Sequence, residues 1–180
     1  MKKKAIIKIT VTGVFIALLV ALQWGLGSIS ANNQFVVGSA VNLVLIVAAV
    51  IGGIYSGICV AVISPFLAFL LGIGPQIIGI VPFIALGNVV LTLIWSIICA
   101  KVKNQYVAMG TSLVVGSVVK CLTLYLSIVK VAVPFLLEVP PKQADLFSKM
   151  FSYPQLITAL IGGALAFAVI PPLKKAFVKQ

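Results

Sequence analysis

The stretch Gly13–Ala21 reads GVFIALLVA, and its small residues Gly13, Ala17 and Ala21 recur at every fourth position. Residues four positions apart lie on the same face of an α-helix, so these three form a smooth row between bulky apolar side chains. Within a membrane, such a row allows a second helix to approach closely. That second helix belongs either to this chain or to a partner protein, and both possibilities are open.

The apolar run around this row extends from about Ile6 to Leu26, which is long enough to cross a hydrocarbon core of about 30 Å. The whole chain has the same character, since 62% of its 180 residues are hydrophobic and 8% are charged. Soluble domains have about 25% charged residues. The composition therefore predicts an all-α integral membrane protein, and the length fits one compact membrane domain over residues 1–180.

Glycines, prolines and polar residues divide the chain into six predicted membrane spans. These cover residues 6–26, 40–51, 54–71, 77–100, 106–127 and 155–170, with external loops at 27–39, 72–76 and 128–154. The last loop contains both acidic residues of the chain. It is too long for a tight turn, and we predict a loop with room for one amphipathic turn.

Lysines indicate how the spans are oriented. All 13 basic residues are lysines, and cytoplasmic loops of membrane proteins carry an excess of basic residues. With six spans, both termini are cytoplasmic, together with nine lysines: Lys2, Lys3, Lys4, Lys8, Lys101, Lys103, Lys174, Lys175 and Lys179. These lysines form no extended basic face interleaved with aromatic residues, which argues against nucleic-acid binding.

Several classes of active site are missing from the sequence. It has no histidine, only two acids, and three cysteines that all lie in apolar segments, so it offers no ligand set for a metal. It contains no GxxxxGK[ST] phosphate-binding loop and no catalytic triad. It also lacks the in-membrane carboxylates that couple transport to ions. We predict that the chain is not an enzyme, binds no cofactor, and takes energy for any uphill transport from a partner.

Lys120 is the most informative polar residue. It lies about 21 Å along the span 106–127 at ~1.5 Å per residue, which predicts a position in the outer half of the membrane. A lysine at that depth is costly unless it faces a cavity or a partner. Two interpretations are open: the side chain extends to the external headgroups, or its ammonium binds an anionic ligand that arrives from outside.

Further polar residues lie in the outer half of the predicted bundle or near its middle. Asn42 opens the second span, Gln76 lies in the second external loop, and Asn88 lies near the middle of the fourth span. A buried amide needs hydrogen-bond partners, so Asn88 either contacts a ligand or bonds a neighbouring helix. The first-loop residues 32–35 are either solvated or form a wall over a pocket.

A six-span protein with an external pocket and no energy source of its own resembles the substrate-binding (S) component of an energy-coupling factor (ECF) transporter. The resemblance covers essentially the whole chain. It rests on the basic N-terminus, the ALLVA segment Ala17–Ala21, the long first external loop, the short second span and the hydrophilic loop before the last span. In that family an AxxxA row docks on the transmembrane T component; here Ala17 and Ala21 match it, and Gly13 extends it by one turn.

The resemblance implies a multi-pass protein of a prokaryotic plasma membrane that binds a vitamin or related micronutrient with high affinity. It also implies docking on a T component driven by two ATPase subunits, which hydrolyse the ATP. The family places the ligand between the outer ends of the last three spans and under the first loop. The residues that fall there are Lys120, Asn88, Gln76, Tyr125, Asn32, Asn33, Gln34 and Phe35.

A buried cation favours a carboxylate or phosphate on the ligand, and pantothenate is slightly favoured over nicotinate, lipoate and folate-like acids. Two alternatives from other functional classes are a stand-alone channel or facilitator and a membrane scaffold. A channel needs a continuous polar lining, whereas the inner halves of the second, third and sixth spans are almost entirely apolar.

Overall fold

The computed structural model describes residues 2–29 and 34–178. Within these ranges the regular elements are helices: α1 Lys2–Ile29, α2 Gln34–Ile51, α3 Ile54–Leu70, α4 Val81–Lys101, α5 Gln105–Leu124, α6 Pro141–Met150 and α7 Tyr153–Val178. A 3₁₀ turn at Ile78–Ile80 leads into α4, and π-helical turns at Tyr125–Leu136 continue α5.

Five helical stretches of the described chain are long and apolar enough to cross a membrane, and α3 is a shorter apolar helix. Their outer surfaces are apolar as well, since large side chains such as Leu18, Val114 and Leu165 are exposed. Such surfaces suit contact with lipid tails rather than with water. The prediction of an all-α, multi-pass membrane bundle is therefore confirmed.

Successive membrane-crossing helices run in opposite directions, which gives the bundle two ends. We name them by residues that mark them: the Lys101 end, where α4 finishes and α5 begins, and the Gln34 end, where α2 begins. The start of α7 at Tyr153 also lies at the Gln34 end.

The predicted first loop, 27–39, is too long on both sides. Helix α1 reaches Ile29 and α2 already begins at Gln34. The polar residues at the start of α2 are helical because they pack against α7. A Cβ on Gly38 would lie 3.0 Å from Thr158 Cγ2, so the absence of a side chain lets the two helices come close.

The predicted loop 128–154 is also wrong, because most of it is helical. The π-helical turns accommodate Pro134, which has no N–H to donate and whose ring would clash with a carbonyl in a regular α-helix. After them, the backbone N–H of Leu137 bonds Ala132 O, five residues back, at 2.9 Å. Helix α6 then starts with Pro141 in its first turn, a position that proline favours.

Helix α2 lies at the centre of the bundle, and its residues Leu45 and Ile46 have no exposed surface. It packs against α1, α3, α4 and α7. Gly162 of α7 makes one of the closest of these contacts, since a Cβ there would lie 2.7 Å from Asn42 Cβ. This central position places the polar side chain of Asn42 inside the bundle.

Candidate functional site

Lys120 lies inside the bundle and joins three helices. Its Nζ donates to Asn42 Oδ1 of α2 at 2.6 Å and to Asn88 Oδ1 of α4 at 2.7 Å. The lysine is 3% exposed, and the two asparagines are 1% and 4% exposed. The ammonium therefore does not extend to the membrane surface, and the amide of Asn88 forms an interhelical hydrogen bond.

The helical stretch that contains Lys120 is longer than the sequence suggested. The helical stretch runs from Gln105 to Leu136 rather than ending at residue 127, so Lys120 is close to its middle, ~22 Å from its start. The side chain lies inside the bundle, where two amide oxygens accept from its ammonium.

Two glycines bring α4 and α5 close together on either side of Lys120. A Cβ on Gly116 would lie 3.1 Å from Trp95 Nε1, and a Cβ on Gly87 would lie 2.6 Å from Leu124 Cδ2. Gly116 precedes Lys120 by about one helical turn, and Leu124 follows it by about one turn. The close approach keeps the Asn88 amide within reach of the lysine.

Hydrogen bonds continue from Asn42 towards the Gln34 end. Asn42 Nδ2 donates to Thr158 Oγ1 at 3.3 Å, and that hydroxyl donates to Gln155 O at 3.2 Å. The side chains of Gln155 and Gln34 both donate to Met150 O, at 3.2 and 3.0 Å. A line of polar groups thus connects the buried ammonium with the segment between α6 and α7.

Lys120 has no acidic partner. The chain contains two acids; Glu138 is exposed, and Asp145 pairs with Lys149 at 2.7 Å on the exposed face of α6. The acceptors of Lys120 are neutral amides, and one of its three N–H groups remains for a further acceptor. A buried cation surrounded only by dipoles favours an anion beside it.

Two buried hydroxyls next to this site have no hydrogen-bond partner, namely Ser39 Oγ and Ser117 Oγ. Ser39 is one turn from Asn42 on α2, and Ser117 is one turn from Lys120 on α5. Unsatisfied buried polar atoms are rare in proteins, and these two could bond polar atoms of a ligand. We did not select either serine from the sequence, although their three-residue spacing from the amide and the lysine could have indicated them.

The remaining predicted ligand residues are more dispersed. Gln34 joins the line of polar groups, whereas Gln76 is exposed and donates to Gly74 O of its own loop at 3.2 Å. Phe35 is 41% exposed, and the ring of Tyr125 lies 5.5 Å from Lys130 Nζ. None of the hydrogen bonds found in the described ranges connects Gln76, Phe35 or Tyr125 with Lys120. Asn32 and Asn33 lie outside the described residues.

An apolar cluster lies on the Gln34 side of Lys120. Its buried members are Ile80, Leu124, Ile128, Phe147 and Phe151. Phe147 belongs to α6 and Phe151 directly follows it, so α6 covers this part of the bundle. This cluster and the line of polar groups thus both lie between Lys120 and the Gln34 end.

The row Gly13, Ala17 and Ala21 is exposed along its whole length. A Cβ on Gly13 would meet nothing within 4 Å. The row forms part of a groove of about 650 Å³ between α1 and α3, which is lined also by Ile16, Val20, Trp24, Leu67 and Leu71. No helix of the described chain covers the row.

Comparison with protein families identifies a match over most of the chain. The family model described as "ECF transporter, substrate-specific component" matches residues 7–174, a range that includes both the α1 row and Lys120. Proteins of this kind are transport subunits that associate with the T and ATPase components of the ECF module. No curated protein and no solved structure matches the chain. Since the family match covers nearly the whole sequence, the chain belongs to the substrate-specific components of ECF transporters.

Proposed function

We propose that this chain captures an anionic vitamin or related micronutrient with high affinity and holds its carboxylate or phosphate beside Lys120. Pantothenate is slightly favoured among the candidate ligands. The observation that supports this proposal most directly is the buried ammonium of Lys120, whose two acceptors are neutral amide oxygens. In this proposal the chain binds no cofactor, and two partner ATPases hydrolyse the ATP.

The energetics of Lys120 support this assignment. An unpaired buried charge destabilises a fold by several kcal/mol, and two amide dipoles offset this only in part. A ligand carboxylate would accept the third N–H and supply the missing negative charge. Such a charge-assisted hydrogen bond contributes about 1.5–3 kcal/mol. The hydroxyls of Ser39 and Ser117 would give neutral hydrogen bonds to other ligand atoms.

Access to this site requires a rearrangement at the Gln34 end. Phe147 and Phe151 share an apolar cluster with Leu124, which lies one turn beyond Lys120, and this burial supports a closed arrangement. Helix α6 has only ten residues, and a short helix held by an apolar cluster can move as a unit. We propose that it moves away to admit the ligand and returns when the ligand is bound.

The α1 row supports docking on the T component. Its three small residues are exposed in a groove, and the row is separate from the residues that bond Lys120. A bulky helix of the T component would fit this groove, because small residues allow close backbone contact. Ligand binding and docking should therefore be separable by mutation.

The distribution of lysines supports the orientation in the membrane. Lys101, Lys103, Lys174 and Lys175 lie at the Lys101 end, and basic residues favour the cytoplasmic side. In this proposal the Gln34 end faces outward in the plasma membrane of a prokaryote, both termini are cytoplasmic, and the site near Lys120 opens to the outside.

Binding and transport have to be measured separately to test this function. The purified chain is titrated calorimetrically with pantothenate, nicotinate, lipoate and a folate, each beside a neutral analogue without the acidic group. We expect tight binding of one acid by the isolated chain, and uptake into proteoliposomes only when the T component and both ATPases are present. Uptake by the chain alone would indicate a facilitator, and binding of none of these acids with normal folding would contradict the anionic-ligand proposal.

A further inference from the structure

A cavity lies at the Lys101 end, away from the line of polar groups that leads to the Gln34 end. Its volume is about 380 Å³, within the range of small-molecule sites. The turn between α2 and α3, the last turns of α4 and the end of α7 form its walls. The substrate site proposed above uses none of these residues.

Two lysines from different helices line this cavity. Lys101 is in the last turn of α4, and Lys174 comes from α7. Neither has an acidic side chain as a partner within the described ranges. The two acidic residues, Glu138 and Asp145, come after α5 and its π-helical continuation, towards the Gln34 end. The cavity therefore combines two positive charges that no acidic side chain of the described residues compensates.

The remaining wall of the cavity is largely apolar and reaches the outside of the bundle. Val50 and Ala100 line it, together with Ile54 and Ile97, of which the last two are 36% and 43% exposed. Exposed isoleucines on a membrane helix face lipid tails. The cavity is thus bounded by lysines where the helices end and by apolar side chains next to the bilayer.

We propose that this cavity binds an anionic phospholipid, with the headgroup phosphate between Lys101 and Lys174. Basic pockets between membrane helices are suited to such headgroups. The first acyl carbons would cover Ile54 and Ile97. A free phosphate ion would satisfy the lysines but leave the apolar wall uncovered, which favours the lipid. The site is independent of the identity of the transported substrate.

Lipid occupancy can be measured by native mass spectrometry of the purified full-length chain with added phosphatidylglycerol or phosphatidylcholine. We expect specific binding of phosphatidylglycerol. The double variant Lys101→Gln, Lys174→Gln should weaken it about 25-fold, since each lysine near an anionic surface contributes roughly fivefold. The control variant Lys103→Gln, Lys175→Gln removes the same charge at the same end but outside the cavity lining, and should retain the affinity. An equal loss in both double variants would overturn the proposal and indicate general surface attraction.

A second variant tests the cavity with both lysines present. Ala100→Trp places a large side chain in the cavity from an exposed position, and we expect it also to lower phosphatidylglycerol occupancy. Unchanged occupancy would overturn the proposal. The last comparison measures thermal stabilisation of the chain by inorganic phosphate and by phosphatidylglycerol. Equal stabilisation by both would mean that the cavity is a site for free anions. Stabilisation by the lipid alone would support the proposal.

Discussion

Replacement of Lys120 by methionine separates its role in ligand binding from its role in the fold. Methionine keeps most of the length of the apolar stem and removes the charge. The structure shows what is left behind: Asn42 Oδ1 and Asn88 Oδ1, at 2.6 and 2.7 Å from the lost ammonium, lose their donor. Both asparagines are almost completely buried.

The expected magnitudes differ for stability and binding. Each buried acceptor without a donor destabilises the fold by about 1–3 kcal/mol, but removal of a buried charge with no counterion acts in the opposite direction. We therefore expect a small change in melting temperature without ligand. Loss of a charge-assisted hydrogen bond of about 1.5–3 kcal/mol weakens binding of the anionic ligand about 10- to 150-fold.

Calorimetric titration of the variant with the acid and with its neutral alcohol analogue provides the measurement. The acid should lose affinity, while the analogue should bind the variant and the unmodified chain equally well. Lys130→Met is the matched control, because Lys130 is an exposed lysine farther along the same helical stretch and should not affect binding.

Two results would refute the reasoning. An equal loss of affinity for the acid and the analogue would mean that Lys120 acts only through the packing of α2, α4 and α5. Unchanged affinity for the acid, in a variant that is folded, would mean that the ligand's negative group lies elsewhere.

Three further changes test the groove, the helix packing and α6. Ala17→Trp should abolish uptake by the complete transporter but keep the ligand affinity of the chain. Val14→Trp, at a position that is 59% exposed and outside the groove, should keep both uptake and affinity. Loss of ligand binding in Ala17→Trp would mean that the row packs inside this chain rather than against a partner. Gly162→Ala should lower the melting temperature in detergent by several degrees, because overpacking costs about 1–3 kcal/mol and each kcal/mol lowers the melting temperature by roughly 2–4 °C. Gly13→Ala should have no such effect, and equal shifts in the two variants would contradict the close approach of α7 to α2. Phe147→Ala should accelerate hydrogen exchange in α6 at least about tenfold with little change elsewhere; uniform acceleration would show that α6 does not open separately.

The sequence was sufficient for the class of protein and for several of the important residues. Lys120 and Asn88 were selected because a charge or an amide within an apolar helix needs a partner, and the structure brings them into contact. The small-residue row of α1 was found from its spacing alone. These predictions depend on local chemistry, which a single helix already determines.

The prediction was less accurate where tertiary contacts decide the local structure. The stretch after residue 127 contains lysine and proline and was predicted to be a loop, yet π-helical turns accommodate Pro134 and α6 packs through Phe147. Gln76 and Tyr125 were grouped with Lys120 because the predicted topology places all three towards the outer side of the bundle. Topology assigns a residue to one end of the bundle but does not specify which way its side chain points, and neither residue bonds the lysine.

The sequence by itself determined that this chain is a helical membrane protein, because 62% hydrophobic residues in long runs leave the backbone no other way to satisfy its hydrogen bonds in lipid. It also determined that Lys120 needs a partner, since the energetic penalty of a buried charge holds wherever the residue lies. Only the tertiary structure decided that the partners are Asn42 and Asn88, that the α1 row remains exposed, and that Lys101 and Lys174 line one cavity. Those relations join residues far apart in the chain, and they depend on which helices pack together and how closely their glycines allow them to approach.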